Sequence, residues 1–363
     1  MTPVDSPCWL FVGTQHSGPG TGLSRARFDP AAGTLSSFEL AAQSPDPAFF
    51  VVHPDGRHLY SCNSGTPGGV TAFTLAPRTG ALTPLNSVPS SGRGPSQLTL
   101  DRAGRVLLAA NYGGGYLDVV PLTPTGALGP LKARVQHEGH GVDPVRQTRP
   151  YVHCVTVDPD NRYALVADLG LDRVYVYRFD ASAATVTPNI PPYVQTAPRS
   201  GPRHLAWHPN GRWVYLIEEL SSTITLFAWD ADSGRLDARQ TIDTLPHGFT
   251  GENTAAEILV RADGRFVYAS NRGHDSVAVF VVEPSTGQLT LASRAASEGR
   301  TPRYMAFDPS QAWLFVANID DDAIVQFNVD RESGALTRSG ATHHQPRPYG
   351  LAFASAGRAV PQG

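Results

Sequence analysis

The sequence predicts an all-β fold, a seven-bladed β-propeller with four antiparallel strands per blade. Three observations predict it. A degenerate unit of roughly fifty residues recurs along the chain. Each copy reads as short strands joined by turn signals. Helical periodicity is almost absent from the 363 residues.

The unit is clearest at Gly201-Pro202-Arg203-His204-Leu205-Ala206-Trp207-His208-Pro209-Asn210-Gly211-Arg212-Trp213-Val214-Tyr215-Leu216. A short apolar run ends at Pro-Asn-Gly, a turn signal, and a second apolar run follows at once, which reads as a hairpin. Thr223-Ile224-Thr225-Leu226-Phe227 then alternates with period two, as a strand does. Ser233-Gly234-Arg235-Leu236 turns the chain into a fourth strand. The first turn returns as Pro54-Asp55-Gly56-Arg57, Ala103-Gly104-Arg105, Pro159-Asp160-Asn161-Arg162 and Asp263-Gly264-Arg265. The later turn returns around Gly33, Gly80, Gly126, Gly287 and Gly334, and the fourth copy alone lacks it.

A polar residue closes each second strand, at Thr14, Asn63, Asn111, Asp168, Glu218, Asn271 and Asn318, with spacings of 47 to 57 residues. The chain opens on a second strand, Trp9-Leu10-Phe11-Val12, and ends on an orphan first strand, Pro348-Tyr349-Gly350-Leu351-Ala352-Phe353, before the usual turn at Ala356-Gly357-Arg358. The last strand is therefore expected to complete the first blade and close the ring, which removes an open edge. Residues 1–363 then form one domain. A pair of β-sandwiches is the competing architecture, and it leaves the uniform period unexplained.

Composition narrows the function classes. The chain has 29 Lys and Arg against 32 Asp and Glu, a net charge of −3. No basic surplus points to nucleic acid or to an anionic membrane. The basic residues are almost all Arg, whose forked donors suit carboxylate and phosphate. Three scattered cysteines, Cys8, Cys62 and Cys154, form no CxxC, so neither a disulfide framework nor a zinc site is indicated. No signal peptide or membrane-spanning stretch is read, and a reducing cytoplasm is the expected location. Nothing in the sequence selects between a monomer and a homo-oligomer.

Topology sorts the polar residues onto two rims. The start of a first strand and the end of a second strand share one rim of the channel. That rim collects Tyr151, His153, Arg203, His204, Glu257, Arg303 and Arg347 from first strands. From second-strand ends it collects Asn111, Asp168, Glu218, Glu219, Asn271, Arg272, His274 and Asn318. The other rim carries the repeated Asp-Gly-Arg turns and reads as solvated surface. Glu219 and Arg272 depart from the repeat, since each follows the recurrent polar position with a charge that other blades lack. Arginines beside a Glu and a His suit a small anionic substrate, by binding its charge, stabilising an oxyanion and moving a proton.

Other motifs are weaker. His137-Glu138-Gly139-His140-Gly141 lacks the spacing of a helical metal site, and no metal or other cofactor is expected. Gly113-Gly114-Gly115 opens no helix, so a phosphate-cradling loop is not read there. Ser24, Ser221 and Ser222 sit in no nucleophile elbow, and Cys154 lies within an apolar strand.

Five runs resemble the seven-bladed lactonase family, which includes propeller-type 6-phosphogluconolactonases and fungal carboxy-cis,cis-muconate cyclases. They are Pro150-Tyr151-Val152-His153, Asp168-Leu169-Gly170-Leu171-Asp172, Gly201-Pro202-Arg203-His204, Glu219-Leu220-Ser221-Ser222 and Ser270-Asn271-Arg272-Gly273-His274-Asp275. The resemblance covers nearly the whole chain. It implies a catalytic rim of His153, Glu219, Arg203 and Arg272, with Arg146 and Gln147 matching a loop pair of the family. Arg303 and His274 join Arg146 and Gln147 as expected substrate contacts. Tyr151 departs from the family pattern, where a His often stands. The implied reaction is hydrolysis of a sugar lactone, foremost 6-phosphogluconolactone, with Glu219 or His153 as general base. A muconate cycloisomerase and a non-enzymatic binding propeller are the alternatives, and the expected ligand is a small anionic lactone or carboxylate.

Overall fold

The computed structural model describes residues 6–14 and 22–357. These residues form seven antiparallel sheets around a channel. Blade four shows the plan, with strands Val152–Val157, Tyr163–Asp168, Arg173–Asp180 and Thr185–Gln195 pairing in sequence order. The polar residues predicted to close second strands end them in six blades, and in blade six Asn271 is followed by one more strand residue, Arg272. The C-terminal strand Pro348–Ser355 pairs with Cys8–Thr14, so the ring closes within blade one as predicted. Arg358 of the last predicted turn lies outside the described residues.

Cohesion lies between blades. Each of the seven apolar clusters draws side chains from two neighbouring blades. In one of them, Val166 and Tyr177 of blade four meet Leu108 and Val119 of blade three. A single sheet cannot bury both its faces, and stacking around a closed ring lets every blade do so.

A second device repeats between blades. The second strand begins with an aromatic residue in most copies, and that ring covers the later glycine turn of the next blade. Trp9 lies over Gly80, Tyr163 over Gly234, Trp213 over Gly287, Phe266 over Gly334 and Trp313 over Gly33. Gly234 has a φ of +67°, and a Cβ there would fall 2.3 Å from the Tyr163 ring. The turn therefore needs glycine for its left-handed backbone and for the close approach. Blade four replaces this glycine with Ala184, still left-handed at a φ of +51°. Its partner is Val106, smaller than the aromatic rings elsewhere, and the two share a core cluster.

The channel side of the rim is shaped by β-bulges. First and second strands shift register between Val152 and Cys154, between Pro202 and His204, and between Pro302 and Tyr304. The final strand shifts where Thr14 pairs Pro348 and Gly13 pairs Gly350. The extra residues are His153, Arg203, Arg303 and Tyr349. A bulge breaks the alternation of the strand and re-aims one side chain. Four blades thus turn one residue each toward the same end of the channel.

Candidate active site

The second set of side chains comes from the residue just after each closing polar position. Ser64, Tyr112, Glu219 and Arg272 occupy that place in four blades, and all four line one cavity of about 210 Å³. Its wall also includes Arg93, Ser96, Arg146, His153, Arg303 and Tyr349. In two other blades the same place is filled by Leu169 and Ile319, both buried in the core.

Glu219 is the centre of the arrangement and is 4% exposed. Its Oε1 accepts from Arg146 Nη2 at 2.5 Å. Its Oε2 accepts from Arg203 Nε at 3.0 Å and from Arg272 Nη2 at 2.9 Å. Burial alone would raise the carboxyl pKa. The charges of Arg272, Arg203 and Arg146 overcome this and hold it well below the usual carboxylate range. Glu219 is therefore ionised, with three guanidinium donors on its two oxygens.

The arginines are held in turn. Arg203 Nη1 donates to the Ala256 carbonyl. Arg272 Nη2 donates to the Ala255 carbonyl at 3.0 Å. Burial, with Arg303 and Arg272 nearby, lowers the Arg203 pKa to about 10. Arg303 is different: its Nε has no hydrogen-bond partner and its guanidinium stacks over the Tyr349 ring at 4.0 Å. It is a cation displayed to the cavity without a carboxylate partner among the described residues.

His153 is buried, and its Nε2 lies 4.0 Å from Glu219 Oε2. That distance is too long for a direct hydrogen bond. A water at about 2.8 Å from each atom would bridge them at an angle of roughly 90°. The ring packs edge-on against Tyr112 and His204, and its Nδ1 has no hydrogen-bond partner among the described residues. Burial first, and the Arg203 charge second, push its pKa well below the ordinary imidazole value, so it is neutral.

The predicted site residues separate into three groups. His153, Glu219, Arg272, Arg146 and Arg303 converge on the cavity. Arg203, expected on the catalytic rim, reaches the same carboxylate but lies beneath, off the cavity wall and 2% exposed, so its contact is to Glu219. Gln147 and His274 stand apart. Gln147 is fully buried and donates to the Leu169 carbonyl and to Asp172 Oδ1, which fixes the loop that presents Arg146. His274 turns to Ser276 Oγ at 2.7 Å and packs on Phe249. The structure gives Gln147 and His274 other roles than the expected substrate contacts: neither lines the cavity, the Gln147 amide is fully engaged by Asp143, Leu169 and Asp172, and the His274 Nδ1 is held by Ser276.

Several cavity residues went unpredicted. Tyr112 holds the same place in its blade as Glu219 and Arg272, so the rule that singled out those two reaches it as well. Tyr349 follows a proline at the start of a first strand, as the predicted Arg203 and Arg303 do. Arg93 has no such signal. It sits on a connection between blades, and it also lines an adjoining cavity of about 270 Å³ with Tyr112, Arg146, Arg149 and Tyr151. At the rejected metal motif, His137 engages Asp168 Oδ2 at 2.7 Å and the Tyr177 hydroxyl at 2.9 Å, so both its ring nitrogens are occupied.

With this geometry in place, similarity decides the family. Residues 9–353 match the family described as lactonase, 7-bladed beta-propeller. This chain belongs to the seven-bladed β-propeller lactonase family. Its lactonase relatives include the 6-phosphogluconolactonase of Bacillus subtilis, 32% identical over 344 residues, 94% of this chain and 97% of that one. The 6-phosphogluconolactonase of Formosa agariphila is 29% identical over 343 residues, 91% and 94% of the two chains. Among solved structures, the periplasmic gluconolactonase of Pseudomonas aeruginosa superposes with a TM-score of 0.93 at 33% identity, covering 97% of this chain and 100% of that one. Among the described residues of this lactonase-family chain, no helix is long and apolar enough to cross a membrane.

Proposed function

We propose that this chain hydrolyses a phosphorylated sugar lactone, 6-phosphogluconolactone, to the open hydroxy acid. The observation that carries the reading is the ionised Glu219 and neutral His153 facing one cavity ringed by Arg146, Arg272 and Arg303.

Water held between His153 Nε2 and Glu219 attacks the lactone carbonyl carbon, and its proton passes to His153. The choice of base follows from charge. Protonating Glu219 would discharge the anion that holds three guanidiniums together. Protonating His153 creates an imidazolium 4.0 Å from that anion, which stabilises it. Arg303 and Arg272 stabilise the tetrahedral oxyanion. The ring C–O bond then breaks, and the imidazolium returns its proton to the leaving alkoxide. Arg203 positions Glu219 and does not touch substrate. A cycloisomerase would need His153 as an acid, and burial holds it in the neutral form that suits a base.

The phosphate reading rests on charge count. A plain lactone is neutral, yet Arg93 and Arg149 extend the row of cations outward into the adjoining cavity. A 6-phosphate matches that extension. A cytoplasmic location fits the three cysteines, which are all buried and unpaired. Side-by-side hydrolysis of phosphorylated and plain gluconolactone tests the reading. Higher kcat/KM on the phosphorylated substrate is expected, and equal or reversed preference overturns the phosphate assignment.

A further inference from the structure

We propose that His53, Asp55 and His58 form a binding site for a divalent transition-metal ion on the rim opposite the active site.

The internal repeat supplies the comparison. Blades two and five share one hairpin turn, His53-Pro54-Asp55-Gly56-Arg57 and His208-Pro209-Asn210-Gly211-Arg212. In both, the first imidazole ties its blade to the next. His53 Nε2 lies 2.8 Å from the Gly104 carbonyl and His208 Nε2 lies 3.0 Å from the Gly264 carbonyl. A carbonyl only accepts, so each Nε2 carries the proton and each Nδ1 keeps its lone pair. That lone pair meets the backbone N–H two residues on, at 3.2 Å in blade two and 3.1 Å in blade five. The Nε2–H bond to the Gly104 carbonyl is the outer bond that typically fixes the tautomer of a metal-binding histidine, and an ion on His53 Nδ1 takes the place of the Asp55 N–H there.

The blades differ in what faces that lone pair. Blade five has Asn210, and the indole of Trp213 packs on His208. Blade two has a carboxylate and a second imidazole instead. Asp55 Oδ1 lies 3.0 Å from His53 Nδ1, and Asp55 Oδ2 lies 2.8 Å from His58 Nδ1. Potential ligand atoms from all three residues lie within 4.8 Å of one another. His58 occupies the aromatic anchor position that holds Trp9, Tyr163, Trp213, Phe266 and Trp313 in other blades. Two departures from the repeat therefore fall on one fixed imidazole.

The geometry suits a small borderline ion. Donors about 2.0–2.1 Å from a tetrahedral centre lie roughly 3.3 Å apart, so the two imidazole–carboxylate gaps need to open by only a few tenths of an ångström while the imidazoles swing toward each other. Two imidazoles and one carboxylate favour zinc, cobalt, nickel or copper over calcium or magnesium. The ion takes the place of the proton on His58 Nδ1, which leaves to solvent. The three residues border a cavity of about 440 Å³, where water completes the coordination. Arg105 also lines this cavity, and its charge acts on Asp180.

The test is titration of the full chain with cobalt, followed by its visible absorption, then displacement by zinc. The wild type should take up one cobalt per chain with a tetrahedral spectrum that zinc removes. The double variant Asp55→Asn, His58→Trp rebuilds the blade-five version and should lose at least about tenfold in affinity. Asp55→Asn alone keeps the turn, as Asn210 does, and should lose affinity even where the double variant folds poorly. Lactonase kinetics should be unchanged in both, and Glu219→Gln should still bind cobalt. Absence of binding to the wild type, or equal stoichiometry and affinity in wild type and Asp55→Asn, overturns the site.

Discussion

On the hairpin rim, Asp101, Asp158 and Asp308 hold one place in three blades and do one thing. Asp158 Oδ1 accepts the backbone N–H groups of Arg162 and Tyr163, at 2.6 and 2.7 Å. Asp101 Oδ1 accepts that of Val106 at 2.7 Å, and Asp308 Oδ1 that of Trp313 at 2.9 Å. On the opposite rim, one recurring place carries Ser64, Tyr112, Glu219 and Arg272, and no two agree. Where copies agree, the residue builds structure, here by holding its own turn. Where they disagree, side chains from different blades meet, and the meeting is available for chemistry. The two rims should therefore respond oppositely to mutation, one in stability and the other in turnover.

The largest effects belong to the divergent rim. Glu219→Gln removes the charge that stabilises the His153 imidazolium and orders three arginines. Its kcat/KM for lactone should fall about 10³-fold, within the range for loss of an acid–base group. Arg272→Ala should cost on the order of 10²–10³, as for an oxyanion donor. Steady-state kinetics with circular dichroism as a folding control checks both. Unchanged turnover in the two variants would break the contrast between rims.

The agreeing rim should behave in the reverse sense. Asp158→Ala leaves the buried Tyr163 N–H and the part-buried Arg162 N–H without their acceptor, a loss of about 1–3 kcal/mol. Urea denaturation should show that loss while kcat/KM stays at the wild-type value. A drop in kcat/KM at full occupancy of the folded state would join the rims and defeat the comparison.

Acid titration separates the same two properties within one residue. His153 must be neutral to act as base, and its folded-state pKa lies well below the ordinary value of 6.5. Activity should hold its plateau below pH 6.5 and fall only through that lowered value. Stability moves sooner. The unfolded imidazole takes up its proton as pH drops below about 6.5 while the buried one does not, so unfolding gains protons and stability falls. Glu219 adds to the loss further down, since its depressed pKa contributes stability above about 4.5 that disappears as pH falls through the folded value. An acid limb of kcat/KM centred above pH 6.5 would exclude His153 as the base.

The fold was legible because a fifty-residue period needs no tertiary information. The closing polar residues, from Asn63 to Asn318, mark strand ends by local chemistry alone. Glu219 and Arg272 were legible as exceptions to that register. What the register hides is direction. Arg203 and Arg303 follow the same Pro at the same bulge, yet one is buried against Glu219 and the other faces the cavity, and neighbouring blades decide which. Gln147 and His274 looked available because their partners, Asp172 and Ser276, are set by loop packing that spacing does not encode. The His53, Asp55 and His58 cluster was hidden by the opposite error. Its turn repeats, so it read as surface, and its third member comes from the strand after the turn.

The smallest expected effect sharpens the substrate side of the contrast. Arg93 borders both cavities, and among the described residues its only hydrogen bond is a weak one from Nε to the Ser64 carbonyl at 3.3 Å. Its other guanidinium nitrogens bond none of the described residues and can meet a ligand. Arg93→Ala should therefore leave the fold and the plain-lactone kinetics alone. With the phosphorylated lactone, KM should rise about tenfold, the equivalent of roughly 1.4 kcal/mol, while kcat holds, because the phosphate is bound alike in ground and transition states. A matching rise in KM for both lactones would assign Arg93 to the sugar ring and not to the phosphate. A fall in kcat with KM unchanged would place it at the reacting carbonyl, among Arg272 and Arg303, and move the boundary between binding and chemistry one blade further around the rim.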